Sequence, residues 1–172
     1  MSDGQAEFDQ MLAEDVRPLL REHGFAKQSR TFRRRRADVW HLLNFQKSTS
    51  STRAAVKFTV NVCVASDRLR GVSWLPEGTK PPAERECHVR ARIGSLVPER
   101  TDLWWRLSTP QDRRAVAAEV HNALLEHAIP FLERFPDSKA LAASWHESGG
   151  NFYATPGLEP EYADWLAALE AR

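Results

Sequence analysis

Cysteine is scarce in this sequence. Cys63 and Cys87 are the two cysteines among its 172 residues, and they form neither a C-x-x-C pair nor a Cys/His cluster with the spacing of zinc ligands. This scarcity excludes a small secreted scaffold held by several disulfides. Two cysteines in a core of ordinary size are most often small buried hydrophobic residues, although one disulfide between them stays open at this point.

The sequence also lacks a long apolar run. No window approaches the stretch of about 18 apolar residues that a transmembrane helix needs. The first residues, MSDGQAEFDQ, contain no basic segment followed by an apolar stretch, so they do not resemble a signal peptide. We therefore expect a soluble cytoplasmic protein without membrane contacts.

Charge of one sign is not in excess. Lys and Arg number 24 and Asp and Glu number 23, which leaves a net charge of +1. A dedicated nucleic-acid-binding domain carries a strong basic field, and an acidic disordered chain carries the opposite excess, so the charge balance argues against both. With 42% hydrophobic residues, a chain of this length can bury a sizeable core, and we predict one α+β domain over 1–172.

Motifs of known chemistries are absent as well. The chain contains no G-x-S-x-G, P-loop or G-x-G-x-x-G segment. Its six histidines include no H-E-x-x-H pair, and His121 and His127 are six residues apart, a spacing that does not place them on one face of a helix. We therefore predict no catalytic residue, no metal ligand and no cofactor.

What the sequence does contain is a helix followed by a run of strands. Apolar residues recur every three or four positions over 5–23, which predicts an amphipathic helix that Gly24 ends. The clearest strand runs from Val56 to Val64, where β-branched residues alternate with polar ones. The four predicted strands are 30–36, 39–46, 56–64 and 87–93.

A long loop and further helices complete the predicted order. Residues 66–85 contain three prolines and two glycines, which predicts a loop that Trp74 and Leu75 anchor. Loops of this length are often functional, so this one is a candidate partner contact.

The C-terminal part begins with the pattern Thr109-Pro110-Gln111-Asp112, which is typical of a helix start. Pro18 and Pro130 are expected to kink, split or end their helices, and about 137–172 is expected to form a helical extension. The order predicts an α+β fold with an N-terminal helix, an antiparallel sheet of about four strands and a C-terminal group of helices packed on one sheet face.

Alternation along these strands divides the sheet into a core face and an outward face. Amide and guanidinium groups on the outward face could hydrogen-bond an anionic or amide-bearing ligand. The candidate binding residues of this face are Trp40, Asn44, Gln46, Asn61, His88, Arg90 and Arg92. An outward face that simply lies in water, or that a helix from 152–172 covers, stays open as the alternative.

Two motifs outside this set could also contact a partner. Of the neighbours Trp104 and Trp105, one is expected in the core and one half-exposed, and Trp104 is the candidate binding residue of the pair. The run Arg33–Arg36 suggests phosphate contact, but alternate residues of a strand point to opposite faces. A solvated sheet edge, with one arginine pair stacked on Trp40, is the favoured interpretation of the run.

Several short segments occur here in an order that resembles a known family. They are Leu20–Phe25, Thr31-Phe32, Asn44–Ser48, Phe58–Val62, Cys87-His88, Arg92–Gly94 and Trp104-Trp105. Over about 5–135 the chain resembles the bacterial domain-of-unknown-function family numbered 4304. The resemblance implies a small bacterial α+β domain and supplies no activity.

The function expected from these observations is non-catalytic binding in the bacterial cytoplasm. The partner would be a protein, as for an immunity-type protein that blocks a toxin, or a small polar ligand. The alternative is a small enzyme that uses the Asn, Gln and Arg cluster of the outward face with His88 as acid or base. Nucleic-acid binding through Arg33–Arg36 is the third and least favoured hypothesis.

Overall fold

The chain folds in the predicted α+β order of helix, antiparallel sheet and helices. The structure is a computed structural model, and it describes residues 3–70 and 80–147 together with Ala167 and Ala171. The predicted loop anchors Trp74 and Leu75 lie outside the described residues, as does almost all of the predicted cover from 152–172. Among the described residues, no helix is long and apolar enough to cross a membrane.

Within the described residues the sheet has six antiparallel strands, two more than the sequence predicted. They are β1 (Ala26–Gln28), β2 (Thr31–Arg36), β3 (Val39–Lys47), β4 (Val56–Ser66), β5 (Val89–Arg92) and β6 (Trp105–Leu107). Their order is β1-β2-β3-β4-β5, and β6 also pairs with β4. The two additional strands, β1 and β6, have three residues each, which is too short for alternation to mark them.

Strand β4 contacts two strands in succession along one edge. Its residues 61–64 pair with β5, and its residues 56–58 pair with β6. Between these two stretches, the hydroxyl of Thr59 donates a hydrogen bond of 2.8 Å to the carbonyl oxygen of Leu103. This edge therefore contains a seam where the pairing changes from β5 to β6.

Helical segments precede, interrupt and follow the strands along the chain. They are α1 (Gly4–Gln10), a π-helical segment (Met11–Val16), α2 (Arg17–Glu22), α3 (Asp67–Arg70), a 3-10 turn (Glu84–Glu86), α4 (Ile93–Leu96), α5 (Pro110–Ala123), a second π-helical segment (Leu124–Ala128), α6 (Ile129–Glu133) and α7 (Ser138–Glu147). The prediction of a loop over 66–85 was thus wrong at both ends, because α3 and the 3-10 turn fall within it. Elements of three or four residues leave no periodicity to detect.

Both prolines that were expected to interrupt helices lie inside continuous helical backbone. Each proline lies two residues after the end of a π-helical segment. Before Pro18, the N–H of Arg17 donates to the carbonyl oxygen of Leu12. Before Pro130, the N–H of Ile129 donates to the carbonyl oxygen of Leu124. A proline ring crowds the carbonyl four residues earlier and cannot donate a hydrogen bond. The additional residue in the preceding turn relieves this crowding, so the helical backbone continues.

Two predicted helix boundaries are confirmed by their hydrogen bonds. Gly24 has φ +82°, and the N–H of Phe25 after it bonds to Leu20 O at 2.9 Å, as in a Schellman motif. At the start of α5 the Thr109 hydroxyl accepts from the N–H of Asp112, whose carboxylate accepts from the N–H of Thr109. Both ends are therefore encoded locally.

The helices cover the face of the sheet that alternation assigned to the core. Val39, His41, Leu43 and Phe45 are all fully buried on it. Phe58 lies at its centre, with ring centroids of Phe8 and Trp105 at 5.0 and 5.6 Å. Alternation predicted this face correctly because one side of each long strand is apolar.

The hairpin between β2 and β3 carries a strained residue. Ala37, the first residue of the two-residue link between Arg36 and Val39, has φ +46°. A positive φ costs an L-residue about 1–2 kcal/mol. Glycine avoids this cost, but the larger conformational entropy of glycine in the unfolded chain offsets part of the gain. We expect Ala37→Gly to raise the free energy of unfolding by about 0.5–1 kcal/mol in denaturant titrations. The matched change Ala26→Gly in β1 should lower it, and equal losses in both variants would contradict the assignment of strain.

Candidate functional site

Trp104, the residue before β6, lies on the outward face beside Lys57 and Arg92. Its neighbour Trp105, the first residue of β6, stacks on Phe58 in the core. The indole Nε1 of Trp104 donates to Oδ2 of Asp102 at 2.8 Å, and Nη1 of Arg92 donates to Oδ1 of the same carboxylate at 3.1 Å. One carboxylate thus orients an aromatic ring and a guanidinium.

Two cations lie over this indole ring. Nζ of Lys57 is 5.1 Å and Cζ of Arg92 is 5.2 Å from the ring centroid, both within the range of cation–π attraction. The indole N–H and then the Arg92 guanidinium hold the pKa of Asp102 below its ordinary value. We call Lys57, Arg92, Asp102 and Trp104 the Trp104 cluster. The exposed Arg106 lies beside it, opposite Lys57 in the strand register.

A row of polar side chains leads across the sheet to this cluster. Thr31, Asn44, Asn61 and Arg92 are directly opposite one another on β2, β3, β4 and β5. Nδ2 of Asn44 donates to the Thr31 hydroxyl at 2.9 Å, and Nδ2 of Asn61 donates to Oε1 of Gln46 at 2.8 Å. Asn61 is only 2% exposed. We call Thr31, Asn44, Asn61 and Gln46 the amide row; it holds the outward side chains in fixed positions.

The other half of the outward face is a second, smaller core, which neither alternative in the sequence analysis anticipated. Its buried members are Leu42, Cys63, Ala65 and Cys87, with Trp40 packed against them. The chain around Pro82 lies over this half, where Pro82 O accepts from Nε of Arg33 at 3.0 Å. Burial raises the pKa of the Cys63 thiol, and both cysteines are free. Such a cover is stabilising because it removes the apolar outward side chains of this half from water.

The predicted site residues Trp40 and Arg90 belong to this covered half. Nε1 of Trp40 donates to Asp67 at 3.1 Å, and Arg90 forms an ion pair with Glu84. The ion pair joins β5 to the 3-10 turn that precedes it. These contacts fix the cover and keep both side chains away from the Trp104 cluster.

The structure does not bring His88 to the exposed part of the outward face. His88 is fully buried, and its Nδ1 accepts a hydrogen bond of 3.0 Å from the backbone N–H of Ser66. The Ser66 hydroxyl in turn is 2.6 Å from that of Ser138 at the start of α7. Alternation placed His88 wrongly because His88 lies just before β5 begins, where side chains do not alternate between the two faces although the N–H of His88 already donates to Val64 O at 2.9 Å.

The four-arginine run is not a uniformly solvated edge. Arg34 points into the core side: its Nε donates to Nδ1 of His41 at 3.1 Å, its Nη2 donates to Glu133 at 2.5 Å, and its guanidinium lies 4.6 Å from the Phe25 ring centroid. Only 3% of its side chain is exposed. The expected stacking on Trp40 is therefore replaced, for Arg34, by a buried polar network.

The other three arginines of the run also have partners within the fold. Arg35 donates to Asp67 through both Nε and Nη2, Arg36 lies 3.7 Å from Glu133, and Arg33 bonds to Pro82 and Gln28. The carboxylates of Asp67 and Glu133 balance part of the charge of the run, whereas both partners of Arg33 are neutral oxygens.

Three cavities lie away from the Trp104 cluster. One cavity of about 540 Å³ lies between the first π-helical segment and α5, near Asp15 and His121. A second of about 470 Å³ adjoins Gly24 and Arg36, and a third of about 560 Å³ adjoins Lys47. None of the three is lined by a residue of the cluster or the amide row. Among the described residues, no group of three or more His, Cys, Asp and Glu is arranged to hold a metal ion.

Sequence reasoning missed three residues of this surface. Alternation places Lys57 on the outward face, but Lys57 was not among the candidate binding residues. Asp102 and Arg106 were not among them either. The missing signal was β6, because without that strand nothing places 102–106 beside β4. The close spacing of Asp102 and Trp104 was the one local clue available.

Comparisons with known proteins are sparse for this chain. The family model described as "Domain of unknown function (DUF4304)" matches residues 16–134. This range contains the Trp104 cluster, the amide row and all six strands. No curated protein and no solved structure matches the chain.

Proposed function

This chain belongs to the DUF4304 family of domains of unknown function, and we propose that it is a non-catalytic binding domain of the bacterial cytoplasm. It engages another protein through the Trp104 cluster and Arg106. An immunity-type role, in which the bound protein is a toxin, is one form of this activity. The free, buried thiols of Cys63 and Cys87 suit a reducing compartment.

The observation that carries this proposal is the construction of the Trp104 cluster. Trp and Arg are enriched among the residues that dominate protein–protein binding energy, since both offer a large contact area of defined geometry. Asp102 holds the Trp104 and Arg92 side chains by hydrogen bonds. Side chains that are already ordered lose less entropy when a partner binds. The amide row behind them adds further fixed polar groups.

A protein partner suits this surface better than a small ligand does. Sites for small molecules are usually concave and enclose most of the ligand. Lys57, Asp102 and Arg106 are exposed, and the three cavities described above lie elsewhere. A half-buried tryptophan surrounded by exposed polar side chains is the kind of surface that a second protein covers.

The alternative of a small enzyme finds little support in this geometry. Its acid or base was to be His88, which is buried and bonded to the backbone of Ser66. The amides of Asn44 and Asn61 are engaged with neighbouring side chains. None of the three cavities described above is lined by His88, Arg90 or Arg92.

We expect a photo-reactive phenylalanine analogue at position 106 to form a defined adduct with a partner protein in cells of the source organism. Adding Trp104→Ala should reduce that adduct about tenfold, because loss of a central aromatic contact commonly weakens binding by this much or more. The adduct is measured by electrophoresis and mass spectrometry.

The matched control places the same analogue at Arg114, which is exposed on α5. Position 114 should give no such adduct. Thermal unfolding of the Trp104→Ala protein establishes that it is folded. Identical adducts from positions 106 and 114, or an adduct from position 106 that survives Trp104→Ala in full, would contradict the proposal.

A further inference from the structure

We propose that the partner segment that binds the Trp104 cluster is acidic, with carboxylates placed to meet Lys57, Arg92 and Arg106. This inference rests on the proposed function and names the chemistry of the partner. Its basis is the distribution of charge around Trp104, where Lys57 and Arg92 lie over the ring, Arg92 pairs with Asp102, and Arg106 is opposite Lys57 on β6.

Lys57 and Arg106 are the first part of the evidence. They are directly opposite each other on β4 and β6, and both are exposed. Like charges at directly opposed positions of a sheet destabilise it. In the part of the chain that the structure describes, neither side chain forms an ion pair. A carboxylate between them would relieve this repulsion.

Among the described residues, some surface arginines are balanced by a carboxylate of the fold, whereas others, such as Arg17, Arg21 and Arg114, form no ion pair. Arg35, Arg53, Arg90 and Arg113 all form ion pairs with carboxylates of the fold itself. Within the described residues, Asp102 is the one carboxylate that pairs with a cation of the Trp104 cluster, and Arg106 lies beside the cluster. The local excess of positive charge is therefore intrinsic to this surface, although the whole chain carries a net charge of only +1.

The indole ring favours a protein segment over a nucleic acid. Single-stranded nucleic acids bind sheet faces by stacking bases on aromatic rings. Here both Lys57 and Arg92 already lie over the Trp104 ring, so a stacked base would have to displace a cation that it also needs for its phosphate. A carboxylate can bind the two cations where they are.

The test follows the indole N–H resonance of Trp104 by heteronuclear NMR in the full-length chain. We expect a short peptide of alternating Glu and Gly to shift this resonance and the amide resonances of Lys57, Arg92 and Arg106. The double variant Lys57→Glu/Arg106→Glu should weaken the binding of this peptide by roughly tenfold, as should high salt, since exposed charge pairs are screened. A peptide of alternating Lys and Gly should shift none of these resonances.

Three outcomes would overturn the inference. The Glu peptide could leave these resonances unshifted, shift the exposed residues Arg17, Arg21 and Arg114 to the same extent, or bind more weakly than an oligouridine of equal length. Failure of the peptide together with a Trp104-dependent adduct from position 106 would refute the acidic partner alone. Failure of both experiments would refute the proposed function as well.

Discussion

Replacing Gly94 by alanine is expected to lower the free energy of unfolding by about 3 kcal/mol, at the upper end of the usual cost of overpacking a core. Gly94 lies in α4, directly against the chain that leads into β6. A Cβ atom at this position would lie 2.0 Å from Thr101 O and 2.6 Å from Leu103 N. Both are backbone atoms of a segment that other contacts hold in place, so no side-chain rotation can relieve the clash.

The same substitution should disturb the Trp104 cluster. Residues 101–103 must move away from α4 to accommodate the methyl group, and Asp102 lies among them. Because Asp102 orients both Trp104 and Arg92, the indole N–H resonance of Trp104 should shift even at temperatures where the variant is folded. Denaturant titration gives the stability change, and NMR gives the local displacement.

Gly24→Ala is the matched control for this prediction. Gly24 has a positive φ, but no atom lies within 4 Å of a Cβ built there. The cost is then conformational, about 1 kcal/mol, and the Trp104 resonance should not move. A Gly94→Ala protein as stable as the Gly24→Ala protein would show that α4 and 101–103 separate more easily than their packing implies.

The second large effect is a loss of stability in acid that depends on His41. Its Nε2 lies 2.8 Å from Phe135 O and must donate to it, and its Nδ1 accepts from Nε of Arg34. The ring is therefore neutral, with no place for a second proton. Burial, and then the nearby Arg34 guanidinium, lower the pKa of His41 to about 4, against an opposing hydrogen bond to Phe135.

The sign of the effect follows from the two states. Between pH 6.5 and about 4 the unfolded chain binds a proton at His41 and the folded chain does not, so the free energy of unfolding falls as the pH is lowered through this window. Above pH 6.5 the neutral His41 contributes fully to the free energy of unfolding, and below about pH 4 this contribution is lost. It amounts to about 3 kcal/mol, at about 1.4 kcal/mol per pKa unit.

The variant His41→Gln tests this contribution. A glutamine can still donate to the Phe135 carbonyl but does not titrate, so His41→Gln should be less stable than the unmodified chain at pH 7 and lose less stability on acidification. Denaturant titrations at pH 7 and pH 4.5 measure the difference. Equal losses in both proteins would mean that His41 binds its proton as readily in the folded chain as in the unfolded one.

The long strands and helix boundaries could be predicted from sequence because their signals are local. The alternation from Val56 to Val64 predicts which face of β4 the helices cover, although beyond Lys57 both faces of the strand are buried. The residues Thr109 to Asp112 contain both halves of a capping box. The Trp104 cluster depends instead on β6, whose three residues carry no pattern. It also depends on the approach of Gly94 to Thr101, a contact that follows only from the folded path of the chain.

Arg34 illustrates a second limit of sequence reasoning. Four consecutive arginines predict a solvated surface by composition, yet the strand register turns Arg34 toward the core and leaves Arg35 outside. The fold then provides His41, Glu133 and the His23 carbonyl as its partners. Glu133 is far away in the sequence, so no local pattern indicates that one arginine of the run is buried. His88 was misplaced for a related reason, since its position depends on where β5 begins.

The seam along β4 has a consequence for how the binding surface responds to a partner. Strand β6 is joined to the sheet by only three residue pairs, while β3 pairs with β4 along nine. Segments with few backbone contacts open locally without global unfolding. Trp104 thus directly precedes a strand that has as few paired residues as β1. Under the proposed function, the rim of the binding surface at β6 can open locally while the nine pairs between β3 and β4 behind it remain closed.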